Sequence, residues 1–125
     1  MPRFVILRHD PGENSTHPRH WDLMLEEAGV LRTWALSGEP RAGELIPARQ
    51  LPNHRLAYLD YEGEISGGRG TVVRCDAGTF AVISESAAGL VVGLAGNRLR
   101  GTAELIPGES SADEWHFRLQ SRQSG

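Results

Sequence analysis

The sequence predicts an all-β protein, folded as a small closed antiparallel β-barrel of about eight strands. Two observations lead to this fold class. Within the 125 residues, short runs alternate between apolar and polar side chains or are rich in β-branched residues, and no window keeps apolar residues at helical spacing. Turns rich in Gly and Pro separate these runs at regular intervals. We expect a barrel because closure removes the exposed edges of a sheet.

Nine segments have the alternating or β-branched pattern of strands. They comprise residues 4–9, 20–26, 30–36, 55–61, 71–75, 79–84, 90–94, 99–106 and 115–119. Residues 10–19 are predicted as a loop, because they hold two Pro and one Gly among polar residues. The tight turn 27–29 joins the second and third strands as a hairpin. Residues 45–51 are ambiguous, because Pro47 is typical of an edge strand or an irregular segment.

The second half of the chain is divided by turns. A Gly-rich loop over 62–70 is followed by the turn Asp76-Ala77-Gly78, which predicts a hairpin between its neighbouring strands. The turn 95–97 predicts a second hairpin. Residues 120–125 are expected to be a flexible tail. With no linker, repeat or low-complexity tract, residues 1–125 are predicted to form a single domain.

Composition excludes several classes of function. The net charge of −3 gives no general support for nucleic-acid binding. All 13 basic residues are Arg, which excludes lysyl-adenylate ligases, Walker-type phosphate loops and Schiff-base enzymes. No apolar run approaches the roughly 18 residues of a membrane span, and no signal peptide is recognisable. Cys75 is the single cysteine, so the chain has no internal disulfide framework and we expect a cytoplasmic protein. The Cys75 side chain is expected to pack rather than react.

A metal site is the first candidate for chemistry. His20 and Asp22 point to the same face of the predicted second strand, and Met24 follows them on that face. His9, at the end of a neighbouring strand, could supply a third ligand. Imidazole nitrogen and carboxylate oxygen together suit Mn, Zn or Fe. Solvated loop histidines would show the same spacing.

A second candidate pair is His54 and Tyr58, which share a face if this segment is extended. An imidazole can give or take a proton near neutral pH, and a phenol can hydrogen-bond the oxygens of a phosphoryl group. A surface histidine beside a core tyrosine would show the same spacing.

Together these motifs resemble the 3′-phosphoesterase domain of bacterial DNA ligase D. The resemblance covers roughly residues 3–119. It is carried by the segments FVILRHD (4–10), HWDL (20–23), GVLRTWA (29–35), HRLAY (54–58), DYEG (60–63) and DAGT (76–79).

The resemblance implies a metal-dependent phosphoesterase, a hydrolase that removes a 3′-terminal ribonucleotide and then the 3′-phosphate in DNA end repair. His9, His20 and Asp22 match the family's metal ligands, for which Mn²⁺ is implied and Zn²⁺ or Co²⁺ are alternatives. His54 matches the histidine that contacts the scissile phosphate, and Tyr58 matches its tyrosine neighbour.

One position departs from the family pattern. The family has an Arg two residues beyond the metal-binding Asp, where this chain has Met24. A thioether cannot donate a hydrogen bond to phosphate. The alternative function is therefore a catalytically weak or inactive barrel that binds metal, phosphate or nucleic-acid ends. Arg49 and Arg69 are the predicted substrate-binding residues in its place, and Arg8 and Arg55 remain open.

The implied partners are nucleic-acid 3′ ends, with no membrane involvement, and we expect a monomer. The chain carries neither a ligase nor a polymerase, so either could be a separate partner. The longer loop 10–19 also adds His17, which the family spacing makes a lesser contender than His20. A different class, a 2-His-1-carboxylate Fe(II) oxygenase using His20, Asp22 and His54 or His116, usually requires a longer chain.

Overall fold

Antiparallel strands make up almost all of the computed structural model, which describes residues 1–13 and 15–121. These ranges contain nine strands and one 3₁₀ helix. They are β1 (Arg3–Asp10), β2 (His20–Glu27), β3 (Val30–Leu36), β4 (Leu45–His54), the 3₁₀ helix (Leu56–Leu59), β5 (Gly63–Ile65), β6 (Gly70–Ser86), β7 (Gly89–Gly96), β8 (Arg100–Pro107) and β9 (Glu114–Ser121). The prediction of an all-β fold is confirmed. No helix within the described ranges is long and apolar enough to cross a membrane.

Eight of the strands close into a ring. They pair in the order β1-β2-β3-β4-β9-β8-β7-β6, and the pairing of β6 with β1 completes the circuit. The short strand β5 pairs with the first residues of β6. The predicted closed antiparallel arrangement of about eight strands is therefore confirmed, and each ring strand has a paired neighbour on both sides along at least part of its length.

The ring interior is filled by apolar side chains from all eight ring strands, which we call the inner core. Its largest fully buried members include Trp34, Phe4 and Phe117. On β2, Leu23 and Leu25 contribute to this core, as the alternation of the sequence predicted. Full burial of each such side chain contributes roughly 1.5–3 kcal/mol, so the inner core dominates the stability of the ring.

A second apolar cluster lies on the opposite face of the same strands, outside the ring. We call it the outer cluster. It consists of Val5, Leu7, Met24, Leu31, Leu59 and Val72. Leu59 belongs to the 3₁₀ helix, so this helix covers part of the outer face of β1, β2 and β3. The polar end of the same face, beyond the helix, carries the functional site described below.

The predicted hairpin at Asp76-Ala77-Gly78 is wrong, because β6 runs without interruption from Gly70 to Ser86. Asp76 instead lies at a bulge in the β1–β6 pairing and is only 5% exposed. Its carboxylate accepts hydrogen bonds from the backbone N–H groups of Ala77, Asn97, Arg98 and Leu99. Asp76 therefore satisfies the turn between β7 and β8 instead of forming a turn of its own.

Four further predictions need correction. Residues 55–61 are not extended, because they contain the 3₁₀ helix, and the loop 62–70 contains β5. Pro47 lies within the regular strand β4, where it pairs with His116 of β9 and its carbonyl accepts a hydrogen bond from the Ser37 N–H on the other side. Of the predicted flexible tail 120–125, residues 120 and 121 belong to β9 and residues 122–125 lie outside the described residues.

Candidate metal centre

Pairing of β1 with β2 places His9 directly opposite His20. Opposed residues of antiparallel strands project to the same face, and Asp22 shares that face because it lies two residues beyond His20. One ligand atom from each of these three side chains lies within 4.8 Å of the other two. The two imidazole rings lie with their centroids 4.8 Å apart. The structure thus brings together the three predicted metal ligands.

The Asp22 carboxylate lies between the two imidazoles. Its Oδ1 is 3.1 Å from His20 Nε2, and its Oδ2 is 3.8 Å from His9 Nδ1. Burial of Asp22 opposes its ionisation, but the neighbouring His20 and His9 lower its pKa below the ordinary value. Conversely, the Asp22 carboxylate raises the pKa of both histidines. Asp22 is therefore favoured in its negatively charged form, although the residue is only 3% exposed to solvent.

Each histidine uses its remaining ring nitrogen to contact a backbone carbonyl. His9 Nε2 lies 2.9 Å from the Arg69 carbonyl oxygen, and His20 Nδ1 lies 3.1 Å from the Pro18 carbonyl oxygen. A neutral imidazole that donates N–H to such a carbonyl keeps the lone pair of its other nitrogen on the side of Asp22, where that nitrogen could ligate a metal. Contacts of this kind orient metal-ligating histidines in proteins and fix their tautomer.

Two glycines bring the Arg69 carbonyl to His9. Gly70 has a φ of +110°, and a Cβ on it would lie 1.9 Å from the Asp10 carbonyl oxygen. A Cβ on Gly12 would lie 2.2 Å from the Gly68 carbonyl oxygen. The loops before β2 and before β6 thus touch backbone to backbone, an approach that only glycine permits.

The three side chains fit a divalent transition metal by their chemistry. Two imidazole nitrogens and one carboxylate oxygen are the donor set expected for Mn, Zn or Fe. Asp22 Oδ1 is buried and has no well-aligned hydrogen-bond donor among the residues that the structure describes. A buried carboxylate oxygen without a donor is costly, and a cation in front of it would remove that cost.

The candidate metal centre opens into a cleft of about 550 Å³, on the outer face of β2, β3 and β4. His54 lines this cleft, and its Nδ1 lies 2.9 Å from the Pro52 carbonyl oxygen, which leaves Nε2 for other partners. His17 also lines the cleft but is exposed and lies outside the three-ligand group. The structure therefore gathers His54 with the metal centre and leaves His17 at the margin.

Arg49 is the cation that the sheet register brings to the metal centre. Asp22 pairs with Ala35 on β3, and Ala35 pairs with Arg49 on β4, so the three residues form one row across the outer face. The small Ala35 side chain leaves the space between them open. The positive charge of Arg49 acts on His20, where it opposes the effect of Asp22 on the His20 pKa. Among the described residues, the guanidinium of Arg49 has no hydrogen bond or ion pair.

The other predicted arginines are placed less favourably. Arg8 lies on the face opposite His9 and is paired with Asp10 at 3.0 Å. Arg69 donates hydrogen bonds to the carbonyl and hydroxyl oxygens of Ser66 and lies beside the site rather than across from it. Arg55 lines a neighbouring cleft.

Met24 follows Asp22 on the same strand face but does not reach the cleft. It is 1% exposed and packs in the outer cluster with Leu7 and Leu31, next to the 3₁₀ helix. The position where the resemblance implies an Arg is thus an apolar packing position in this chain. The sequence correctly places Met24 on the face of the metal ligands but does not reveal its burial.

His54 and Tyr58 are close, although the segment between them is helical rather than extended. Their ring centroids lie 5.6 Å apart with an interplanar angle of 74°. Tyr58 in turn packs edge-on against Tyr61, at 5.9 Å. The predicted pair is therefore brought together by the 3₁₀ helix, which tightens the chain by one turn.

Some contributors to the site carry no signal in the sequence. The carbonyl groups of Pro18 and Arg69 act through the backbone, so their side-chain identity gives no indication of the role. Gly70 is the residue in the sequence that indicates a close approach of two backbone segments, because its conformation requires glycine. Tyr61 belongs to an irregular segment, where neither alternation nor helical period predicts which neighbours it contacts.

The sequence also matches known proteins. The sequence pattern of the DNA Ligase D 3′-phosphoesterase domain matches residues 12–107, a range that contains His20, Asp22, His54 and Tyr58. The multifunctional non-homologous end joining protein LigD of Pseudomonas aeruginosa is 31% identical over 130 aligned positions. That alignment covers 98% of this chain but 14% of the relative's length, so the chain corresponds to a small part of that protein. The chain belongs to the family of DNA ligase D 3′-phosphoesterase domains.

Proposed function

We propose that the protein is a metal-dependent phosphoesterase that hydrolyses 3′-phosphate or 3′-ribonucleotide ends of nucleic acid in DNA end repair. The observation that carries this proposal is the convergence of His9, His20 and Asp22 on one point of a cleft that also contains His54 and Arg49. Family membership favours a phosphoester as the substrate. The single free cysteine supports a reducing compartment such as the cytoplasm.

His9, His20 and Asp22 would hold the metal, with Mn²⁺ as the first candidate and Zn²⁺ or Co²⁺ as alternatives. When bound, such a metal supplies polarisation of a phosphoryl oxygen or activation of a water molecule. Three protein ligands converge within the part of the chain that the structure describes, which leaves coordination positions for substrate and water.

In this proposal Arg49 binds the phosphate group and His54 supplies a proton to the leaving oxygen. The Arg49 guanidinium binds phosphate oxygens by charge-assisted hydrogen bonds, in place of the family Arg. His54 donates Nδ1–H to the Pro52 carbonyl and turns Nε2 to the cleft, where the imidazolium form can donate its Nε2 proton to the leaving oxygen. Tyr58 packs against the His54 ring and holds its orientation.

The test is hydrolysis of a 3′-phosphorylated oligonucleotide, both single-stranded and annealed to a template, with Mn²⁺, Zn²⁺ or Co²⁺ added. We expect turnover that is lost in His9→Ala and lowered about 10- to 150-fold in kcat/KM by Arg49→Ala, the range for a hydrogen bond to a charged group. Arg41→Ala is the matched control, because Arg41 is exposed and paired with Glu39 away from the cleft. Turnover no higher than that of His9→Ala with every metal would contradict the proposal.

The alternative is a binding protein without turnover, and the burial of Met24 is the observation that favours it. Strand β2 supplies no cation to the cleft, so catalysis depends on Arg49 from β4. If Mn²⁺ and a 3′-phosphorylated strand bind but no phosphate is released, the alternative replaces the first proposal.

A further inference from the structure

A second cleft lies next to the 550 Å³ cleft of the candidate metal centre, which we call the metal cleft. It has a volume of about 270 Å³, and two tyrosines and two arginines line it: Tyr58, Tyr61, Arg55 and Arg69. Tyr58 is the link, because its ring contacts that of His54, which lines the metal cleft. The two clefts are therefore successive parts of one surface path.

Three aromatic rings mark this path. The centroid distance is 5.6 Å from His54 to Tyr58 and 5.9 Å from Tyr58 to Tyr61, and both pairs are edge-to-face. Tyr58 is half-buried and packs on the outer cluster, so it is held in place from below. Tyr61 is 38% exposed, which leaves part of its ring available to a ligand.

The Tyr61 side chain is fixed in position at its hydroxyl group. Its hydroxyl group donates a short hydrogen bond to the Glu64 carbonyl oxygen. Gly63, with a φ of +131°, lies beneath this hydroxyl, where a Cβ would be 3.4 Å from it. An aromatic side chain fixed by its polar tip loses little conformational entropy when a flat ligand stacks on it.

The charges of this cleft favour a polyanion that carries flat groups. Arg55 and Arg69 supply two positive charges and Glu64 one negative charge, so the cleft is locally positive in a protein of net charge −3. Arg69 also lines the pocket behind His9, which extends the positive surface toward the metal centre. Proteins bind single-stranded nucleic acid on surfaces that combine aromatic rings with arginines, because the rings stack on the bases and the arginines neutralise the phosphates.

Building on the proposed function, we propose that this second cleft binds the nucleoside preceding the terminal 3′ nucleotide, with its base against the Tyr61 ring. The substrate is then a nucleic-acid strand with an unpaired 3′ end, and not a small phosphoester. Arg55 contacts the strand backbone, because its guanidinium lies at the cleft and has no hydrogen bond or ion pair among the described residues.

The test compares two fluorescent hexanucleotides with a 3′-phosphate, one intact and one lacking the base next to the terminal nucleotide. Binding is measured by fluorescence anisotropy without added metal, so that no turnover interferes. We expect the wild type to bind the intact strand about 5- to 150-fold more tightly, the range for one stacked base. Tyr61→Ala should remove this preference, and Tyr61→Phe, which keeps the ring, should preserve it.

Tyr61→Leu guards against misfolding of the alanine variant, because it keeps an apolar side chain of similar size but offers no aromatic face. The inference is overturned if the wild type binds both strands equally or if Tyr61→Leu still prefers the intact strand. A Tyr61-dependent preference without any hydrolysis would refute the proposed function alone. Hydrolysis without such a preference would refute the second cleft alone.

Discussion

Replacement of Met24 by Arg would introduce the residue type that the resemblance implies at this position, yet we expect it to destabilise the protein rather than activate it. Met24 is 1% exposed and packed in the outer cluster. Losing its burial costs roughly 1.5–3 kcal/mol, and removing an unpaired charge from water costs several kcal/mol more. The long Arg stem can extend its charge toward Asp22 and recover part of this. The net expectation is a free energy of unfolding lower by about 3–5 kcal/mol.

For a chain of this size, that loss corresponds to a melting temperature lower by roughly 10–20 °C. Circular dichroism during heating and urea titration would measure it. Met24→Leu is the matched control, because a swap of similar volume costs less than about 1.5 kcal/mol. If Met24→Arg stays within about 1 kcal/mol of the wild type, position 24 can open to the cleft, and the reasoning from burial is refuted. Its hydrolytic activity would then show whether β2 can also supply the phosphate-binding cation.

Three further predictions follow from the same structure. Asp76→Ala should lower the free energy of unfolding by about 3–4 kcal/mol in urea, since four backbone N–H groups lose their acceptor, whereas the exposed Asp113→Ala should change it by less than about 0.5 kcal/mol. Gly70→Ala should weaken Mn²⁺ binding in calorimetry about 10- to 100-fold by displacing the Arg69 carbonyl from His9; an unchanged affinity, matching that of the control Gly38→Ala, would contradict this. Mn²⁺ at 100 times its dissociation constant should stabilise the wild type and His17→Ala by about 2.7 kcal/mol in thermal unfolding, but not Asp22→Asn; an equal shift in all three would place the metal elsewhere.

Features that depend on local pattern were predictable from the sequence. Alternation along β2 places Leu23 in the inner core and Asp22 on the outer face, and the structure confirms both positions. The proximity of His9 to His20 followed from two neighbouring strands joined by a single loop. A period of two residues is a strong signal, because a shift by one residue would turn every side chain to the wrong face.

Features that depend on distant contacts were not predictable. The residues Asp76-Ala77-Gly78 have the composition of a turn, but they meet requirements set by other residues. Asp76 accepts hydrogen bonds from the backbone of residues 97–99. Position 78 requires glycine, because a Cβ there would lie 2.1 Å from the Ala95 carbonyl oxygen. Both requirements come from another hairpin. The position of Arg49 beside the metal centre likewise depends on the registers of β2 with β3 and of β3 with β4, which no single segment encodes.

The location of the site follows from how the ring is filled. Side chains from all eight ring strands occupy the interior, so a ligand must bind on the outer face. On the outer face of β1–β3, the 3₁₀ helix covers the apolar end at Leu59 and leaves the polar end, with His9 and Asp22, open as a cleft. The helix also turns the chain so that Tyr58 lies beside His54 and Tyr61 beside Tyr58. The segment that seals the outer cluster thus forms the wall between the metal cleft and the second cleft, and a strand that reaches the metal would pass along it.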